Sequence, residues 1–513
     1  EYTFNLPAGS IADLTDNFLQ EAVTLTFTTM TRPTVAKGLY DYVVENVDDL
    51  MAAIAAAQAR TDKNVRYRIF IKNGEYTIPL SSTMKTVNGY EVPECITFIN
   101  TDNVSFIGES RDGVIITNGI DKNETFASTY GTTSKYDGIG NSDVFQLRGQ
   151  GYYWQDLTVE TGMDDATGRN LAIHDRGTMN IYKNVGLSGY QDTWTSNNDN
   201  GLYYFEDGFV RGRTDYMCGK GDIFWNRVEL RQIAGGYAAV PSKPAKYGWI
   251  YKDCVINGEG NGVDGNYTLG RPWGKGTPIA LFIDTEMEVV PSAIGWSEMS
   301  GGYPKRFAEY GSHTSKGISV DLSGRKTTFD AYDSKDGDNY VNRRNETNNP
   351  ILTAEEAAEP TLEAVMGQDD QWQPTLLTEQ APVVTEVKFE GTTLSWTGNN
   401  YSLLYAICKD GDVVGFTTDT SIDVSTLTTG TASSAPRRAE SSEAESWSVR
   451  AANEMGGLSQ AVNINGVVTG ISATKPAVEN RFMDGAIYTL QGVRVTNPTK
   501  GLYIINGHKV VIK

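Results

Sequence analysis

Aromatic and β-branched residues recur through the middle of the chain in short runs, each followed by a polar pair and then by alternating apolar positions. The clearest five are YYWQDLTVE from Tyr152, NIYKNVGLSG from Asn180, YYFEDGFVRG from Tyr203, IFWNRVELRQ from Ile223 and WIYKDCVING from Trp249. With Trp154, Tyr182, Phe205, Trp225 and Tyr251 as equivalent positions, the steps are 28, 23, 20 and 26 residues. Steps of that length, rich in strand formers and punctuated by Gly and Asn, predict the coils of a right-handed parallel β-helix. Their unequal length predicts loops of unequal size on one side. An antiparallel sandwich would instead place turn signals roughly every 8–12 residues.

The flanks read differently. DDLMAAIAAAQAR, from Asp48 to Arg60, has helical spacing, Ala-rich propensity and acids at its start. It is expected to cap the open N-terminal end of the solenoid, where unpaired strand edges are otherwise exposed. ILTAEEAAEPTLEAVMG, near residue 350, predicts a short helix broken at proline, closing the large domain. Beyond Pro382, alternating strands with Gly/Asp turns at short intervals resemble a fibronectin type III-like sandwich, and ASSAPRRAESSEAES within them reads as a solvated loop. The ending YTLQGVRVTNPTKGLYIINGHKVVIK resembles the C-terminal sorting tails of some bacterial secreted hydrolases. The expected layout is a segment 1–38 packing on the solenoid, a β-helix over 39–378, a small β-sandwich over 379–468 and a short β tail over 469–513.

Charge narrows the partners. The chain carries 64 acidic and 44 basic residues, a formal charge of −20, which argues against nucleic acid because phosphate binding needs a basic footprint. No apolar run reaches the roughly eighteen residues of a membrane span. Cys95, Cys218, Cys254 and Cys408 are scattered without metal-site spacing. No metal or other cofactor is expected.

The candidate chemistry lies in the repeat register. Asp192 follows Tyr182 by ten residues, and Asp215 follows Phe205 by ten. Equivalent positions in successive coils stack about 4.8 Å apart, so the register predicts two neighbouring carboxylates on one face. Two such groups do not both ionise easily, and a proton donor and a nucleophile can be made from the pair. The plainer alternative is two surface aspartates at loop ends. Gln191 offers an amide to a developing oxyanion. In TLGRPWGKG, Arg271 could pair with one carboxylate and hold its pKa down, and Trp273 presents a flat face for a sugar ring. GRPW alone is equally a turn with a packed Trp.

With these motifs in view, the sequence resembles the pectin methylesterases. GYQDTW matches the family's GYQDTL, and GRTDYMCG its GTVDFIFG; LGRPW and IGWSEMSGGYPKRFAEYGS follow in the same order. The resemblance runs from about Tyr40 to Lys326 and omits the sandwich and the tail. It implies a pectin lyase-like solenoid that hydrolyses methyl esters of galacturonate units in pectin, with methyl-esterified homogalacturonan as its partner. By position it implies Asp215 as nucleophile, Asp192 as general acid and base, Gln191 as oxyanion donor, Arg271 as the nucleophile's partner and Trp273 as a substrate contact. It also implies a monomer that is secreted, periplasmic or on a bacterial cell surface.

Departures from the family pattern are expected to matter. Where the family carries a glutamine in a QAVAL-like segment, TGRNLAIHD offers Asn170, or Arg169 if the gap falls differently. Cys218 stands where the family has phenylalanine and reads as a small core residue. Trp194 is expected to reshape substrate preference, and Tyr216 to flank a sugar groove, although the interior of a β-helix is an equally good home for the aromatics. His174 reads as a packed or rim residue rather than a base. Arg211, Arg213, Lys220, Arg231 and Lys275 predict a locally basic surface suited to a uronate polymer. Glycoside cleavage on the same scaffold and a non-catalytic carbohydrate-binding role remain as alternatives.

Overall fold

The structure is a computed structural model that describes residues 2–10, 18–27, 32–87, 89–120, 142–162, 169, 171–260, 262–368, 372–427 and 447–469, with short strands beyond. It divides into two compact units: residues 1–42 with 375–467, and residues 43–374 with 468–513.

The larger unit is a right-handed parallel β-helix. Ten strands, from Tyr42–Val44 to Arg306–Tyr310, form one sheet in sequence order. Trp154, Tyr182, Phe205, Trp225 and Tyr251 are direct partners in it, and Phe106 and Phe282 extend the column at either end. Their rings stack inside the coil. Centroids lie 4.2 Å apart for Phe106 and Trp154, 4.5 Å for Tyr182 and Phe205, 4.0 Å for Phe205 and Trp225, and 4.1 Å for Tyr251 and Phe282. Each stacked pair contributes about 0.5–1.5 kcal/mol beyond the burial of its area.

The polar pair of each repeat also has a physical explanation. Its second member, at Asp156, Asn184, Asp207, Arg227 and Asp253, turns the chain out of the sheet with a φ between 49 and 58°. Asp and Asn tolerate this left-handed conformation better than other side chains. The turn amide then bonds to the next coil, as Asn184 N does to Glu206 O at 2.7 Å and Asp207 N to Asn226 O at 3.0 Å.

Two further ladders complete each coil. One runs through Thr158–Glu160 and Gly186–Ser188, the other through Phe145–Leu147, Ile173–Asp175 and Trp194–Ser196. They merge in two long strands, Phe209–Gly219 and Glu229–Pro241, which pair with one ladder through their first halves and with the other through their second. The register shifts on either side of Thr214 mark the bend between the halves. Gly212 makes the bend possible, because a Cβ there would fall 2.2 Å from Cβ of Tyr216.

The helix Val47–Ala59 is capped by Asn46, whose side chain accepts from Asp49 N, and buries Leu50, Ala53, Ile54 and Ala57. It packs on the first coil, against Tyr67–Ile71 and Gly74–Ile78. At the other end, the helix Ala354–Ala358 opens with a capping box of Thr353 and Glu356. Pro360 then breaks the helical path before a wider π-type turn at Glu363–Gly367.

In the smaller unit, Thr385–Glu390, Thr393–Thr397 and Ser421–Asp423 form one antiparallel sheet, and Asp412–Thr417, Tyr405–Lys409, Trp447–Ala451 and Ala461–Asn463 a second. Leu394, Trp396, Ile407, Trp447 and Val449 are buried together. The N-terminal residues expected on the solenoid belong to this unit instead. Val35 N and Gly38 N donate to Asn400 O and Leu403 O, and Tyr40 OH to Gly456 O at 2.6 Å, satisfying backbone groups of the sandwich. The run 432–446, expected as a solvated loop, lies outside the described residues. Beyond residue 486, the strands Ile487–Tyr488, Arg494–Val495, Gly501–Ile505 and His508–Ile512 form an antiparallel sheet. Among the described residues no helix is long and apolar enough to cross a membrane.

Candidate active site

The bend in Phe209–Gly219 presents Asp215. Thr214 is the parallel partner of Gln191, so Asp215 follows in register with Asp192, whose amide bonds to Thr214 O at 3.2 Å. Both aspartates take the left-handed conformation, with φ of 51° at Asp215 and 57° at Asp192, and both are buried. The same conformation that ends each coil strand here aims two carboxylates from adjacent coils.

Arg271, in the turn after Tyr267–Gly270, clamps Asp215 with both ends of its guanidinium. Nε lies 3.0 Å from one carboxylate oxygen and Nη2 2.5 Å from the other. The Arg271 backbone amide is pinned to Ala239 O, and the guanidinium lies 3.8 Å from the centroid of the Tyr237 ring. Burial pushes the Asp215 carboxyl above its ordinary range, and the hydrogen bond and charge of Arg271 pull it back down without cancelling the rise. The expectation that Arg271 leaves it depressed is therefore corrected: desolvation outweighs the pairing. Tyr237 was not anticipated, although AGGYAAV lies 23 residues past Thr214, one coil on in register.

Gln191 and Trp273 are half-buried, and the Trp273 amide is fixed to Pro241 O. A cleft of about 480 Å³ is lined by Arg213, Thr214, Gly236, Tyr237, Asn266 and Thr268, among others; Thr214 precedes Asp215 in the chain, and Tyr237 carries the Arg271 guanidinium.

Other expected contacts lie elsewhere. Trp194 is fully buried, edge-on to Tyr203, Phe205 and Trp225 at 5.1–5.7 Å, and Tyr216 is equally enclosed. Neither reaches a substrate groove, because both side chains are fully buried, Trp194 among the interior rings. Asn170 lies outside the described residues. The basic field is smaller than expected: Arg211 pairs with Glu259, Lys220 with Asp199 and Arg231 with Glu229, each at 2.8–2.9 Å. Arg213 stays exposed, stacked on Tyr190.

Cys218, like Cys95, Cys254 and Cys408, is buried and forms no disulfide. His174 is packed against Asp143 and Gln146 at 3.1 Å from each.

The sequence model of the pectinesterase family matches residues 43–344. A pectinesterase of Aspergillus aculeatus is 26% identical over 233 residues, which is 42% of this chain and 69% of that protein. Putative pectinesterase 11 of Arabidopsis thaliana is 25% identical over 174 residues, 33% of this chain and 47% of the relative. The chain thus spans about half the length of several plant relatives. A solved pectin methylesterase from Erwinia chrysanthemi aligns with a TM-score of 0.47 at 22% identity, covering 66% of this chain and 99% of that one. The fold defines the class first, a parallel β-helix. Within that class, the chain belongs to the pectinesterase family, whose match takes in the Asp192 and Asp215 coils and the Arg271 turn.

Proposed function

We propose that the protein hydrolyses methyl esters of galacturonate units in pectin, giving pectate and methanol. The observation that carries this reading is the Arg271-clamped Asp215 in register with Asp192 one coil away. Asp215 attacks the ester carbonyl, and the Gln191 amide donates to the tetrahedral oxyanion. Asp192 protonates the departing methoxide to give methanol, then takes a proton from water, which attacks the acyl-enzyme and frees Asp215. Trp273 stacks on a sugar ring beside the scissile ester.

The enzyme works outside the cytoplasm of a bacterium, where its polymeric substrate is found, and as a monomer. The smaller unit keeps the reading of a fibronectin type III-like spacer, supported by its two antiparallel sheets, and the terminal strands that of a sorting-type tail.

The test is methanol release from highly methylated pectin, with reducing ends followed in parallel. Methanol without new chain ends is expected. New reducing ends without methanol would replace this reading with glycoside cleavage.

A further inference from the structure

The column that contains Gln191 continues one coil toward the N-terminus. Arg169 is the parallel partner of Gln191, as Gln191 is of Thr214, and the column runs on through Tyr237 and Thr268. Residues in one column of a parallel ladder leave the same face of the sheet, about 4.8 Å apart. Thr214, Tyr237 and Thr268 all line the same cleft. Arg169, half-buried at the head of that column, therefore faces the same side as Gln191.

Charge supports the placement. The Cys218 thiol is pushed far up by burial and, after that, by Asp192 and Asp215, while Arg169 acts on it in the opposite sense. Arg169 and both carboxylates thus act electrostatically on the same buried thiol.

We propose that the Arg169 guanidinium is a second donor to the oxyanion beside Gln191, and that it afterwards holds the carboxylate which hydrolysis leaves at the same place. This inference rests on the ester-hydrolysis reading. A cationic donor serves a developing negative charge more strongly than a neutral amide does. The same strength makes it slower to release an anionic product.

The experiment compares wild type with Arg169→Ala, Arg169→Gln and Arg169→Lys, measuring kcat and KM for methanol release and inhibition by de-esterified oligogalacturonate. The alanine variant should lose about a hundredfold in kcat with KM changed only a few-fold. Glutamine and lysine, which still donate, should each recover part of that loss. Inhibition by oligogalacturonate should weaken about tenfold in the alanine and glutamine variants and persist with lysine. Wild-type kcat in Arg169→Ala would overturn the proposal, as would product inhibition that is unchanged in Arg169→Gln, the variant that tests the idea if alanine prevents folding. A wild-type enzyme that releases no methanol would instead overturn the ester-hydrolysis reading itself.

Discussion

Asp215 combines two demands that oppose each other, burial and ionisation. Burial raises its pKa and Arg271 lowers it, with the net shift upward. As the proposed nucleophile Asp215 acts in its ionised form, so activity should fall as pH drops through this raised value. Arg271→Ala removes the downward pull, the carboxyl rises further, and the acid limb of the kcat/KM–pH profile should move to higher pH. A limb that stayed in place or moved to lower pH would show that Asp215 is not the titrating nucleophile. Asp215→Asn and Asp192→Asn should each abolish methanol release while circular dichroism stays native. At this scale the sequence revealed the carboxylates through the ten-residue register, but not the direction of their neighbours. Trp194 turns inward although it follows Asp192 by two, because the left-handed Asp192 interrupts the alternation of a strand. Counting by twos across such a residue therefore assigns the wrong face.

Among the elements, the aromatic column was the most legible, since large rings at a recurrent position fit only if they stack. Its end was not legible. The partner of Phe282 in the last strand is Glu309, fully buried and bound to Arg325 at 2.5 Å. An acid inside a solenoid is tolerated because its charge is matched there, with Ser312 donating a further hydrogen bond at 2.9 Å. Arg325→Met should leave Glu309 buried and unpaired and destabilise the β-helix by about 3–5 kcal/mol, read from urea unfolding. Trp225→Ala, which empties the middle of the column, should cost about 3–5 kcal/mol as well. A loss below about 1 kcal/mol at Trp225 would mean that the column is not what holds the coils in register. The bend in Phe209–Gly219 also escaped the sequence, because a register shift at Thr214 leaves no periodic trace.

For the whole molecule, two units with separate cores predict unfolding in more than one step. Calorimetry should give a total enthalpy larger than the van't Hoff value from any single transition, and coincidence of the two would count against independent units. Strand alternation beyond Pro382 puts the expected boundary at residue 378, and the two units divide at residue 374. What could not be read was which residues complete the smaller unit, since Val35, Gly38 and Tyr40 reach it from more than 350 positions away. Distance in sequence also hid the partners that neutralise Arg211 and Lys220.

The ring column has an optical consequence. Trp154 and Trp225 lie stacked against other rings, and Trp194 stands edge-on among them, two residues from Asp192. Indoles held this rigidly in an asymmetric setting give strong near-ultraviolet dichroism, which vanishes when packing loosens even if the strands persist. The protein therefore carries its own chromophoric gauge beneath the active site, one that registers the loss of coil packing without any added label.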